Sequence, residues 1–234
     1  MSISDIFHEP AGRDDVARIR IAGLKRNLRI LHLTDSHLTE ADERDPQAVE
    51  FVEQRGPGLF FKHTPNNGST LDVFYQTLNK ARGSSIQGAV LIGDIIDFPA
   101  WAGIDHVARG MKILGVPTLF TPGNHDWHLP HLEWSSALRQ EYYPRLHGLT
   151  NNTPACQSIE LAGVRLITLD NSTYQISPEQ LGFLRRELAT GQPCLLFIHI
   201  PLWIESLVSD VMEHWGAPIM MATPRGWTAE TRER

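Results

Sequence analysis

The sequence contains four short apolar segments, each followed by a polar motif, and this order is its most constraining feature. Short apolar segments bounded by turn residues are typical of buried strands. Side chains that directly follow the strands of an α/β sheet meet at one edge of that sheet. We therefore expect the polar motifs to converge on one site. In chain order they are Asp35-Ser36-His37, Gly93-Asp94-Ile95-Ile96-Asp97, Gly123-Asn124-His125-Asp126 and His199.

The segments between the first three motifs favour parallel strands joined by helices. A strand at residues 28–34 is followed by a helix at 70–82, which Ser69 or Thr70 caps. A strand at 89–93 is followed by a helix around 105–114 and a strand at 117–121. This repeated strand–helix–strand order predicts βαβ units and an α/β fold.

The other segments carry mixed signals. Residues 158–161 and 164–169 predict a hairpin, and Ser177, followed by a proline, begins a helix. A last strand at 194–198 leads into His199. Residues 38–68 are polar and rich in turn signals, so they predict a long irregular loop. A helix broken by a proline is predicted over 129–146.

Charge and hydropathy exclude some classes of protein. The net charge of -6 and the sequence pI near 6.0 argue against a nucleic-acid polymer as partner, since that surface needs excess Lys and Arg. The longest apolar run, Cys194–Ile204, is too short to span a membrane. The first 15 residues do not resemble a signal peptide. We therefore expect a cytoplasmic protein with two free thiols.

The residue types in the four motifs point to metal chemistry. Carboxylate, amide and imidazole ligands together suit Mn, Fe, Zn or Ni, and the set contains no cysteine of the kind that structural zinc sites use. A carboxylate shared by two ions places them about 3.5–4 Å apart, where they can activate a bridging water. Each motif alone is also compatible with an ordinary turn, but the ordered set favours a metal site.

The motifs resemble those of the calcineurin-like metallophosphoesterases. The matching segments are LHLTDSHL, VLIGDIIDF, FTPGNHDW and FIHIPLW, which lie between about residues 28 and 201. The resemblance implies a two-sheet β-sandwich flanked by helices, with metal ions at the strand ends. Within the superfamily the chain looks most similar to class III cyclic-nucleotide phosphodiesterases.

The resemblance also implies a role for each motif residue. Two divalent or trivalent ions would act on a small phosphodiester or phosphomonoester through a metal-bridging hydroxide, with no covalent intermediate. His125 would assist the leaving group, and Asp97 would orient His125. The implied metal ligands are Asp35 and His37 for the first ion, Asp94 as the bridge, and Asn124 and His199 for the second ion.

The chain departs from the family pattern at its C-terminal end. The family closes its site with a Gly-His-x-His motif, which this sequence lacks. The one histidine after His199 is His214, which a helix surface explains better than metal binding. We expect one phosphoesterase domain over residues 1–234 that is incomplete at its C-terminus, because residues 228–234 begin a helix too short to be stable. The alternatives are a natural end with a remodelled site, or a non-catalytic scaffold that binds a protein partner.

Several other polar residues have two interpretations. His128 and His131 follow the third motif and suit a solvated loop better than substrate contact. The long first loop is either a substrate lid or ordinary solvated chain, and it contains Arg44, Arg55, Lys62 and His63.

Overall fold

The computed structural model describes residues 6–13, 15–55, 68–129, 131–217 and 219–221. The described strands are β1 (Ile6–Glu9), β2 (Arg18–Ile21), β3 (Ile30–Leu33), β4 (Gly88–Ile92), β5 (Thr118–Thr121), β6 (Cys156–Leu161), β7 (Val164–Leu169) and β8 (Cys194–Phe197). The described α-helices are α1 (Pro46–Arg55), α2 (Thr70–Gly83), α3 (Trp101–Leu114), α4 (Ser136–Tyr142), α5 (Pro178–Leu188) and α6 (Val208–Trp215).

The first sheet consists of β3, β4 and β5, all parallel, with β4 in the centre. Every residue of β4 is buried, because both of its faces are covered. Ala89 and Leu91 pack in the cluster that contains α2 and α3, whereas Val90 and Ile92 pack against the second sheet. This alternation follows from the two-residue period of a strand and explains why β4 is continuously apolar.

The second sheet consists of β6, β7 and β8, with β6 antiparallel and β8 parallel to the central β7. Val164 and Leu166 of β7 pack in one cluster with Val90 and Leu119 of the first sheet. Helix α5 contacts β6 and β7. The prediction of an α/β fold with two sheets packed between helices is therefore confirmed. The hairpin of β1 and β2 adds Ile21 to the same cluster.

The helix starts predicted at Ser69 and Ser177 are confirmed. Ser69 accepts a hydrogen bond from the Asp72 N–H, and the Asp72 carboxylate accepts one from the Ser69 N–H. Ser177 and Gln180 form the same reciprocal pair at the start of α5. Each pair satisfies two N–H groups that the first helical turn leaves without backbone partners.

The predicted irregular loop over residues 38–68 is wrong in part, because it contains α1. Asp45 before Pro46 is a helix-start signal that the polar composition of the segment masked. Ala48, Phe51 and Val52 have helical spacing, and they pack against a cluster that includes Phe98. Helix α1 therefore packs beside the residue that follows Asp97.

The helix predicted over 129–146 is also shorter than expected. It begins at Ser136, where Ser135 caps it, and continues from Tyr143 to Leu149 as a 3₁₀ helix that includes Pro144. Strand β1, which is short and mostly exposed, is not predicted from the sequence. Across the described residues, no helix has the length and apolar character that crossing a bilayer would require.

Candidate metal centre

The polar motifs meet because the hydrogen bonding between β3, β4 and β5 continues past the strand ends. The Asp35 N–H donates to the Gly93 carbonyl at 3.1 Å, and the His37 N–H donates to the Asp94 carbonyl at 2.9 Å. The Gly93 N–H donates in turn to the Thr121 carbonyl at 2.8 Å. These bonds place the loops after the three strands side by side at the carboxyl edge of the first sheet.

Three of the proposed ligands adopt left-handed backbone conformations. The φ angles are 52° at Asp35, 43° at His37 and 49° at Asp94. Side chains other than glycine reach this region at a cost of about 1–3 kcal/mol each, and such strain concentrates at functional sites. The chain turns sharply after β3 and β4 and so directs these side chains toward one point.

The ligand atoms of these residues lie close together. His37 Nε2 is 3.9 Å from Asp35 Oδ1 and 3.9 Å from Asp94 Oδ2. One ligand atom from each of these three residues lies within 4.8 Å of the others. His199 Nε2, which comes from the second sheet, is 3.3 Å from Asp94 Oδ2. Metal–ligand bonds of about 2.0–2.2 Å keep the ligands of one ion roughly 3–4 Å apart. The donor types and spacing therefore fit metal ions on either side of Asp94.

Asp97 holds two histidines at once. Its side chain is fully buried, and Oδ1 is 3.1 Å from Nδ1 of both His37 and His125. The two imidazole rings meet edge to face with centroids 4.7 Å apart. A carboxylate on Nδ1 fixes the ring and its tautomer, which leaves His37 Nε2 as the nitrogen that faces Asp35 and Asp94. Sequence reasoning linked Asp97 to His125 and missed its contact with His37.

The electrostatics of the centre come from acids and imidazoles packed together. Burial acts to lower the pKa of His125, but the hydrogen bond to Asp97 and the charge of Asp94 raise it to about 9. Burial likewise opposes protonation of His199, whereas the bond to Asp94 raises its pKa to about 9. Burial acts to raise the pKa of Asp94, yet the neighbouring histidines hold it below its usual value. The centre attracts positive charge.

Asn124 lies in the loop directly after β5. On one side of it, Gly123 is packed against Asp94, and on the other the His125 N–H donates to Asp94 Oδ1 at 2.9 Å. The loop therefore contacts Asp94 on both sides of Asn124. This places Asn124 next to the residue that is proposed to bridge the ions.

Asp126 is a residue whose role the sequence did not reveal. Its buried carboxylate accepts four backbone N–H bonds: those of Asp94 and Gly123 reach Oδ2 at 2.7 and 2.6 Å, and those of Ile95 and Ile96 reach Oδ1 at 3.1 Å each. Burial and the charge of Asp94 raise the pKa of Asp126 to about 7, against the opposing effect of these N–H groups. Asp126 ties together the loops after β4 and β5.

Other candidates from the sequence lie apart from this arrangement. His128 is buried between Trp127 and Trp134, with Nε2 2.8 Å from the Leu132 carbonyl, so its solvated-loop interpretation is wrong. Arg44 forms ion pairs with Asp42 and Asp105. His214 is exposed on α6 against Trp215. Lys62, His63 and the predicted helix start at residue 228 lie outside the described residues.

Gly93 and Gly123 allow the close packing of His199 and Asp94, and Gly123 gives a direct test of its importance. A Cβ on Gly123 would lie 2.2 Å from Asp94 Oδ1 and 2.5 Å from Asp94 N, so the Asp94 backbone and carboxylate would both have to move. We expect Gly123→Ala to weaken Mn²⁺ binding by about 10–100-fold, the usual cost of disturbing the support of a metal ligand. Isothermal titration with Mn²⁺ measures the loss.

Gly83→Ala is the matched control for this substitution. Gly83 ends α2, and a Cβ there meets nothing within 4 Å. Its Mn²⁺ affinity should equal that of the wild-type chain. If Gly123→Ala bound Mn²⁺ as tightly as the wild-type chain, the position of Asp94 would not govern metal binding.

A two-sheet α/β fold with carboxylates and imidazoles at its strand ends is an architecture of metal-dependent hydrolases. The family model described as calcineurin-like phosphoesterase matches residues 28–229. The chain therefore belongs to the calcineurin-like phosphoesterase family, whose members are metal-dependent phosphoesterases. The resemblance seen in the sequence is confirmed.

Two solved structures that match the chain have low sequence identity to it. One is a dimetal phosphatase from Danio rerio, at 13% identity and a TM-score of 0.48, covering 75% of this chain and 70% of that one. Another is purple acid phosphatase PPD1 from yellow lupin (Lupinus luteus) seeds, at 16% identity and a TM-score of 0.44. That match covers 80% of this chain and 33% of the lupin chain, so this chain spans about a third of its length. No curated protein matches the sequence significantly.

Proposed function

We propose that this chain hydrolyses a small phosphodiester or phosphomonoester with the help of two metal ions. The observation that carries the proposal is the position of Asp94, whose Oδ2 faces Nε2 of His199 at 3.3 Å and Nε2 of His37 at 3.9 Å. A carboxylate between two imidazoles from different loops is suited to bridge two ions. Asp35, His37 and Asp94 would hold the first ion, and Asp94, Asn124 and His199 the second.

The chemistry of these ligands supports a transition metal. Oxygen and imidazole donors together suit Mn, Fe, Zn or Ni better than Mg or Ca. When bound, such ions would neutralise charge on the phosphoryl oxygens and lower the pKa of a coordinated water. The acidic net charge of -6 favours a small substrate over a nucleic-acid polymer.

His125 is proposed as the group that assists the leaving oxygen. Its Nδ1 is held by Asp97 through both the carboxylate at 3.1 Å and the main-chain carbonyl at 3.0 Å. With Nδ1 occupied, the proton that the ring can offer to a substrate is the one on Nε2. A positioned imidazole that donates a proton to a leaving group contributes about 10²–10⁴-fold to a rate.

The test of this function is a combined measurement of metal content and turnover. The purified 234-residue chain is titrated with Mn²⁺ and assayed with a bis-aryl phosphodiester and the corresponding aryl monoester. Two bound Mn²⁺ with turnover of either ester would support the proposal. A folded chain with neither bound metal nor turnover in excess Mn²⁺ would contradict it and leave a non-catalytic family member that binds a partner.

His125→Ala separates catalysis from metal binding. We expect it to retain both Mn²⁺ ions and to lower kcat by about 10²-fold, at the low end for a proton donor because an aryl oxide is a good leaving group. His214→Ala, on the exposed surface of α6, is the control and should keep wild-type turnover. Unchanged kcat in His125→Ala for both esters would remove His125 from the mechanism.

A further inference from the structure

The segment that follows β7 contains buried polar side chains without a role in the proposed chemistry. Asp170, Asn171 and Ser172 are between 0 and 4% exposed. Burying a polar side chain is costly unless each of its polar atoms finds a partner, so each of these residues must bond another part of the chain. The partners of Asn171 belong to the proposed metal ligand His199 and to the residue after it.

Asn171 binds the backbone on which His199 is carried. Its Oδ1 accepts hydrogen bonds from the His199 N–H at 3.1 Å and the Ile200 N–H at 3.0 Å. Its Nδ2 donates to the Ile200 carbonyl at 2.7 Å. One fully buried amide therefore fixes three polar groups of two consecutive residues.

These bonds replace a sheet ladder that has ended. The pairing between β7 and β8 stops at Thr168 opposite Phe197, two residues before His199. Beyond that point the main chain of β7 no longer reaches the main chain that leads to His199. The side chain of Asn171 takes over and supplies the acceptor and the donor that a neighbouring strand would otherwise supply.

The ring of His199 depends on where this backbone lies. Its Nε2 is 3.3 Å from Asp94 Oδ2, and its Nδ1 is 3.2 Å from the Ile92 carbonyl. The ring packs so closely over Gly93 that a Cβ there would lie 2.4 Å from His199 Cγ. A small shift of the His199 backbone would therefore break contacts on both sides of the ring.

We propose that Asn171 is a positioning residue that holds His199 at the second metal ion, although it touches neither metal nor substrate. This inference rests on the proposed function. Loss of the group that orients a metal ligand typically weakens metal binding by about 10–100-fold. Asn171→Ala should lower the affinity for the second Mn²⁺ by that factor and leave the first Mn²⁺ unchanged, because the ligands of the first ion lie on the first sheet.

The experiment has one arm with metal and one arm without it. Isothermal titration with Mn²⁺ gives the two affinities in the wild-type chain and in Asn171→Ala. Amide hydrogen exchange, followed by NMR on the metal-free chains, reports on the His199 and Ile200 N–H groups. We expect both amides to be protected in the wild type and to exchange faster in Asn171→Ala.

Gln180→Ala is the matched control. Gln180 is also a buried amide, and its side chain makes three hydrogen bonds to main-chain groups, at Ala155, Asp170 and Ser177. None of these partners is in the His199 loop. Its loss should cost comparable stability and leave the second Mn²⁺ affinity at the wild-type value, which separates positioning from general destabilisation.

Asn171→Asp keeps the proposal testable if the alanine variant does not fold. The aspartate retains the acceptor for both amides but loses the donor to the Ile200 carbonyl. We therefore expect partial protection of both amides and a second affinity between those of the alanine variant and the wild type. The role of Asn171 would be overturned if Asn171→Ala bound each of the two ions as tightly as the wild type does. It would also be overturned if the His199 and Ile200 amides were unprotected in the wild type. A wild-type chain that binds fewer than two Mn²⁺ contradicts the proposed function instead.

Discussion

We expect Asp94→Asn to lower the rate of hydrolysis by roughly 10²–10⁴-fold. Binding of each of the two ions should weaken by about 10–100-fold, and the two losses multiply. Asp94 Oδ2 faces both His37 and His199, and an amide at that position is neutral and a poor bridge. Oδ1, which accepts the His125 N–H, can be retained by the amide oxygen. The fold should therefore survive while metal binding fails. Elemental analysis and aryl-ester turnover measure the two effects.

Asp105→Asn provides the control for this loss. Asp105 is an exposed carboxylate on α3 that pairs with Arg44, and its replacement removes the same charge elsewhere on the surface. It should retain wild-type turnover and metal content. If Asp94→Asn kept stoichiometric metal and full turnover, the assignment of Asp94 as the bridge would be wrong.

Asp126→Asn is expected to destabilise the chain by about 2–6 kcal/mol, from two buried N–H donors left without an acceptor at about 1–3 kcal/mol each. Each of the two carboxylate oxygens of Asp126 accepts two N–H groups. An asparagine satisfies the donors on one side and presents its own N–H groups to the donors on the other, whichever way it is turned. A loss of this size is a large part of the roughly 5–15 kcal/mol that stabilises a typical domain.

The stability loss is measured by urea unfolding of the metal-free chain. Asp210→Asn, exposed on α6, is the control and should stay within about 0.5 kcal/mol of wild type. A free energy of unfolding for Asp126→Asn equal to that of the control would mean that the four N–H groups have other partners.

The part of the centre that could be predicted from sequence is the part that strand geometry controls. β4 is apolar at every position because both faces are covered, and Asp94 follows its end after one glycine. Parallel neighbours then bring Asp35 and His37 to the same edge. The convergence of these three residues needs only strand order and a two-residue period.

The supporting contacts could not be predicted, because they depend on side-chain directions that only the packed fold defines. Asp97 was assigned to one histidine and contacts two. Asp126 belonged to a recognised motif, yet its four N–H partners come from two different loops. Asn171 follows β7 without any motif, and its bonds cross to a loop that begins 28 residues later in the sequence. Helix α1 was missed for another reason: its apolar face is short and lies between polar segments.

His199 comes from a different sheet than Asp35, His37 and Asp94. On the proposed assignment, the second ion would therefore act as a cross-link between the two halves of the sandwich. Ligands that bind the folded chain alone stabilise it by about 2.7 kcal/mol at a concentration 100-fold above Kd. Here that free energy would oppose separation of the sheets themselves, so the loaded chain should unfold as a single cooperative unit.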